Sequence, residues 1–164
     1  MRMMVALGAL AMIGLSGCAA DNYGGYTPGY GLLPDTSLRA TYGEVYLGAG
    51  FRNDPYTVSV VSGGIIDAST VAGGCVGMIA RTPDFQLTYD AGSLPLTFGV
   101  TSYQDATLVI NGPDGRWYCD DDSGGNQDPQ ITFYSPRSGV YDVWVGAYAG
   151  NGGEASLFVT ELAR

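Results

Sequence analysis

The chain contains no histidine, and its seven basic residues are all arginine. Without His there is no Ser-His-Asp or Cys-His nucleophile pair and no His-ligated zinc. Without Lys there is no Ser-Lys dyad and no Schiff base. The sequence also lacks G-x-S-x-G, G-x-x-x-x-G-K-[ST] and G-x-G-x-x-G, so neither a hydrolase elbow nor a nucleotide pocket has motif support. Positive charge is scarce: 16 acids outweigh the arginines, giving a net charge of -9 and a pI near 4.1. Such a chain repels phosphate backbones, and nucleic acid is excluded as a partner.

What the chain has is Gly and Tyr, 26 and 12 respectively, with 46% apolar residues in 164. This balance suits one aromatic-rich, Gly-turned β domain. The N-terminus, "MRMMVALGALAMIGLSGC", has an early Arg2, an apolar run to Leu15 and small residues before Cys18, which is a signal-peptide layout. The run is shorter than the ~20 apolar residues that span a bilayer. Leu15-Ser16-Gly17-Cys18 resembles the lipobox of bacterial lipoproteins, in which the Cys is lipidated and the preceding peptide removed. That resemblance implies residues 1–17 as signal peptide, Cys18 as the lipid-bearing first residue and a membrane anchor. It further implies the outer membrane, because Ala19 stands where proteins kept at the inner membrane have Asp. The alternative is a secretory signal cut near Ala19 or Ala20.

Three cysteines in an exported chain leave one unexplained. Lipidation removes Cys18 from the count, and Cys75 and Cys119 are expected to form a disulfide, since an oxidising compartment disfavours two reduced thiols.

Residues 18–40 are rich in Gly, Tyr and Pro with no apolar period, and read as a flexible tether. Tyr23, Tyr26 and Tyr30 receive no role. Residues 41–164 carry period-2 alternation: Tyr56, Val58, Val60; Phe85, Leu87, Tyr89; Leu96, Phe98, Val100; Leu108, Ile110; and Tyr141, Val143, Val145. About nine short strands separated by turn signals predict an all-β antiparallel sandwich or jelly roll. Trp144 and Tyr148 fall on the opposite face from Tyr141, where they would form either a sugar- or peptide-binding platform or a second buried face; core is preferred.

The segment "GPDGRWYCDDDSGGNQDPQITFYSPRSGVYDVWVGAY" resembles the bacterial pre-peptidase C-terminal domain family. The likeness is carried by Asp121-Asp122 at a strand end, by Asp128-Pro129 before the next strand, and by Ser138-Gly139-Val140-Tyr141 through Val145. It is clearest from Phe85 to Leu162. The resemblance implies a jelly-roll-like sandwich that accompanies secreted peptidases without catalysing, and that binds calcium in some relatives. A peptidase label would describe the neighbours of such domains.

The densest chemistry is "WYCDDDSGGNQDP", Trp117 to Pro129. Asp122-Ser123-Gly124 matches the aspartic-protease triplet, yet the chain has only one copy and acids precede it where an apolar strand belongs. A glycosidase pair is not singled out among so many acids. Spacing from Asp120 does not fit an EF-hand, because Gly124 and Ile131 occupy ligand positions. Calcium held by Asp120, Asp121, Asp122, Asn126 and Asp128 remains chemically open, and a solvated turn is the preferred alternative. The expectation is a non-catalytic envelope lipoprotein that binds or braces an envelope protein or glycan. The runner-up is a calcium-dependent carbohydrate- or protein-binding module, and third comes a hydrolase using an Asp pair.

Overall fold

The computed structural model describes residues 32–150 and 152–162. The signal segment, Cys18 and Ala19 lie outside the described residues, as do Tyr23, Tyr26 and Tyr30.

Among the described residues eleven strands follow one another: β1 Glu44–Gly48, β2 Tyr56–Val61, β3 Ile66–Asp67, β4 Met78–Ile79, β5 Phe85–Asp90, β6 Leu96–Ser102, β7 Ala106–Asn111, β8 Trp117–Asp120, β9 Gln130–Phe133, β10 Gly139–Ala147 and β11 Glu154–Thr160. They form two facing sheets, so the all-β sandwich expected from alternation is the fold. Two details differ. The two-residue strands β3 and β4 are too short to leave a period in the sequence, which is why eleven strands stand where about nine were expected. And the first sheet is mixed, because β1 runs parallel to β5, with Glu44 opposite Gln86 and Gly48 opposite Asp90.

In the first sheet β10 is central. It pairs with β5 over Gly139–Val143, with β7 over Asp142–Ala147, and with β4 at Ala147; β8 extends the sheet beyond β7. The second sheet is antiparallel in the order β2-β11-β6-β9. β2 is an edge strand of sequence YTVSVV, with no charged side chain along it.

Between the sheets the alternating residues interdigitate: Phe85, Leu87 and Tyr89 with Leu108, Ile110, Tyr141, Val143 and Val145 from one side, and Val60, Leu96, Phe98, Val100, Leu157 and Val159 from the other. Phe98, Phe133 and Tyr141 meet as an aromatic triangle with centroids 5.2 to 6.0 Å apart. On the outer face of the second sheet Phe158 lies across Gly99, where a Cβ would come within 2.3 Å of the ring.

The first sheet has a second buried face. Trp144 and Val109 point away from the main core and are covered by a flap, residues 62–81, that brings Ile66, Ala68, Cys75 and Ile79 onto them. Trp117 packs on Trp144 at 5.2 Å. The Cys75–Cys119 disulfide, with Cα atoms 5.3 Å apart, fastens the flap to β8. Trp144 is therefore core and no sugar platform, whereas Tyr148 beyond the strand end is 52% exposed. At the chain's entry the Asp35 N–H donates to the Arg81 carbonyl and the Thr41 N–H to that of Pro83, so packing begins within residues read as tether.

Replacing both Cys75 and Cys119 by Ser should lower the unfolding free energy by about 4 kcal/mol on the chain-entropy account of a 44-residue separation, with tryptophan emission moving to the red as the flap loosens. An unchanged denaturation midpoint and emission would show that packing alone holds the flap.

Candidate functional site

Four connections between strands gather at one end of the sandwich: residues 62–65, residues 103–105, residues 121–129, and residues 148–150 with 152–153. Hydrogen bonds lace them together. Ser62 N–H donates to the Gly153 carbonyl and Tyr148 N–H to the Asp105 carbonyl. The Ser102 N–H donates to Asp128 Oδ1 at 2.9 Å. The sandwich fixes where each loop leaves its strand, and the loops carry the chain's densest set of polar side chains.

The acidic segment is built as a turn closed on itself. Asp120, the last residue of β8, accepts the Ser123 and Gln130 N–H groups on Oδ2 at 2.9 and 2.8 Å, and the Ser123 hydroxyl on Oδ1 at 2.5 Å. It thereby ties the start of the loop to its end. At the tip Asn126 and Gln127 have φ of 57° and 64°, and the Asp128 N–H donates to the Gly125 carbonyl at 3.0 Å. Two successive left-handed residues inside such a bond make a type I′ hairpin turn, which Asn favours.

Of the five candidate calcium ligands, Asp120 and Asp128 thus accept hydrogen bonds within the fold, and Asn126 serves the turn. Asp121 and Asp122 instead stand near Asp105, whose carboxyl is raised above the ordinary carboxylate range by burial and then by the Asp122 and Asp121 charges. Among the described residues Asp105 Oδ1 is buried without a hydrogen-bond partner. Among the described residues no three Cys, Asp or Glu side chains are gathered as a metal-holding group. Asp122-Ser123-Gly124, the protease-like triplet, sits in the exposed turn and not in a dry cleft.

Beside these loops the outer face of β2, β11 and β6 forms an open groove of about 590 Å³. Ser59, Ser156 and Thr101 lie in one row across its floor, set by the pairings of β11 with both neighbours. Glu154 is the sole charged side chain lining it, and Tyr42 and Tyr103 stand among its walls. Tyr103 is fully exposed. Sequence reading missed Tyr103, because it lies one residue past β6 in a two-sided position that alternation does not assign.

Three other acids are buried, and each serves the backbone or a neighbouring side chain. Asp84 accepts the Val145 N–H at 2.8 Å just where β10 has lost β5 and not yet met β4, and burial pushes its carboxyl up to about 7. Asp142 takes the Gln86 amide at 2.7 Å, and burial also raises it. Glu161 accepts the Tyr89 hydroxyl and the Gly50 N–H at 2.5 and 2.7 Å. Asp54 in turn accepts the Glu161 N–H at 3.0 Å and the Thr160 hydroxyl. Glu161 and Asp54 thus accept bonds that dock the 49–55 loop. Neither Asp84 nor Glu161 carries a motif, so only the packed geometry identifies them.

No protein-family model matches the chain, and no curated protein matches it significantly. Among solved structures the chain is similar to the pre-peptidase C-terminal domain of a collagenase from Bacillus anthracis, at 14% identity and a TM-score of 0.43, covering 75% of this chain and 100% of that one. It is also similar to PliG of Aeromonas hydrophila, a periplasmic inhibitor of g-type lysozyme, at 14% identity and a TM-score of 0.40, covering 71% of this chain and 96% of the other. Both likenesses are too distant to transfer any activity.

A carboxyl held higher in the folded state than the ordinary 3.8 binds its proton more tightly when folded. The Asp84 contribution to stability is therefore fully present below pH ~4 and lost as pH rises through about 7. Urea titrations should show stability falling across that window, with Asp142 adding in the same direction, and Asp84→Asn should flatten the fall. A rise in stability over the window, or no change in slope in the variant, would contradict this account.

Proposed function

We propose that the protein is a lipid-anchored, non-catalytic module of the bacterial envelope that binds or braces a partner there. The observation that carries this is the cysteine bookkeeping. The Cys75–Cys119 disulfide uses two of three thiols, leaves Cys18 as the remaining one at the end of an apolar leader, and belongs to an oxidising compartment. A non-catalytic role is supported by the absence of His and Lys and by the use of Glu161, Asp54, Asp120 and Asp128 as internal hydrogen-bond acceptors. The outer membrane is the favoured address on the residue after Cys18. The sequence resemblance to pre-peptidase C-terminal domains from Phe85 to Leu162 agrees with an accessory role.

A second reading is favoured by one observation. Asp105 has a buried, unpartnered Oδ1 and feels the charges of Asp121 and Asp122, a repulsion that a calcium ion would relieve. The ligand set would then shift from the one the sequence suggested toward Asp105, and partner binding would become calcium-dependent.

Radiolabelled palmitate should enter the wild-type chain and not Cys18→Ser, which should keep residues 1–17. Equal labelling of both, or recovery of unprocessed chain from the cytosol, would overturn the anchor. For calcium, saturation at a hundredfold over the dissociation constant should stabilise by about 2.7 kcal/mol relative to chelator. An unmoved melting midpoint would remove the second reading.

A further inference from the structure

Positive charge is unevenly placed along the long axis of the sandwich. The loop end carries Asp105, Asp121, Asp122 and Glu154, and none of the arginines among the described residues lies in its four loops. Arg52, Arg116 and Arg137 all lie in connections at the opposite end, in residues 49–55, 112–116 and 134–138, where Asp54, Asp90, Asp114 and Glu161 accompany them. The same acidic end presents large apolar surface: Tyr103 fully exposed, Tyr148 at 52%, Val61 at 53% and Ile65 at 69%. These features adjoin one another. Val61, Tyr103 and Glu154 line one groove, and Tyr148 is hydrogen-bonded to the backbone of Asp105.

Exposed tyrosines ringed by one sign of charge are the composition of a protein-docking surface, with rigid aromatic anchors at the centre and charges that steer the partner in. Resting on the binding-module reading above, we propose that this loop end docks the basic face of another protein, with Tyr103 and Tyr148 as anchors and Asp121, Asp122 and Glu154 as the steering rim. Charge complementarity selects the partner class. A polyanion is repelled, and a neutral glycan fits the hydroxyl-floored groove while leaving the carboxylates across the other loops idle. A cationic protein surface engages both the aromatics and the acids.

The test uses the full-length chain in detergent, immobilised, with cytochrome c as a small basic probe protein and its lysine-succinylated form as the charge-reversed counterpart of the same shape. Cytochrome c should bind at low salt and the succinylated form should not. Tyr103→Ser and the paired change Asp121→Asn with Asp122→Asn should each weaken binding about tenfold. Tyr134→Ser and Asp90→Asn, exposed positions at the opposite end, should leave it unchanged. Equal effects from both sets of variants would mean diffuse attraction by net charge and would overturn the proposal. So would the absence of cytochrome c binding, or competition by neutral chitotetraose at the Tyr103 groove in place of charge-dependent binding. The substituted side chains are exposed or half-exposed, and thermal melts of each variant separate lost binding from lost fold. Palmitate labelling of the same variants reads the anchoring separately, so failure at the docking surface is distinguishable from failure of the envelope reading.

Discussion

One strand buried on both faces governs the architecture. From Tyr141 to Ala147 every residue of β10 is buried. Alternation therefore places Tyr141, Val143 and Val145 against the second sheet and drives Trp144 outward into a region that must be covered too. A two-layer sandwich supplies one cover only. The flap over residues 62–81 supplies the other, with Ile66 and Ile79 as its apolar contacts, and the Cys75–Cys119 bond holds it where a short segment has little area of its own. Trp144 Nε1 finds no acceptor beneath the flap, a cost set against the large apolar surface the indole buries there.

The same strand explains Asp84. As β10 passes from β5 to β4, the N–H of Val145 faces a gap in the ladder, and an unpaired buried donor is costly. A carboxylate oxygen takes the place of the missing strand, while the Gly63 N–H satisfies the Val145 carbonyl. Placing an acid there couples fold stability to proton concentration, and burial behind a single backbone hydrogen bond is enough to shift the carboxyl.

The inner faces were legible because burial on one side leaves a period of two: Phe85, Leu87 and Tyr89, or Leu96, Phe98 and Val100, could be assigned before any coordinates. The disulfide was legible from thiol counting. The flap was not, since two-residue strands and a single short 3-10 turn leave no period to detect. Parallel pairing of β1 was equally hidden, because side-chain alternation is the same in either direction. For the acidic segment, composition exposed the carboxylates but could not divide them. Only the hydrogen bonds separate Asp120 and Asp128, which close the turn, from Asp121 and Asp122, which face the environment beside Asp105. Tyr103 lies past the end of β6, where no periodic rule says which way a ring points.

The uncharged edge at β2 carries a colloidal consequence. Among the described residues its outer backbone groups have no strand partner, and the strand has no Lys or Arg to fend off another sheet edge. What keeps copies apart in neutral solution is the overall excess of carboxylates, and that repulsion vanishes near pI 4.1. Acid thus suits the buried Asp84 carboxyl while removing the barrier to edge-to-edge stacking, so the proton that this one group takes up also brings copies of the molecule together.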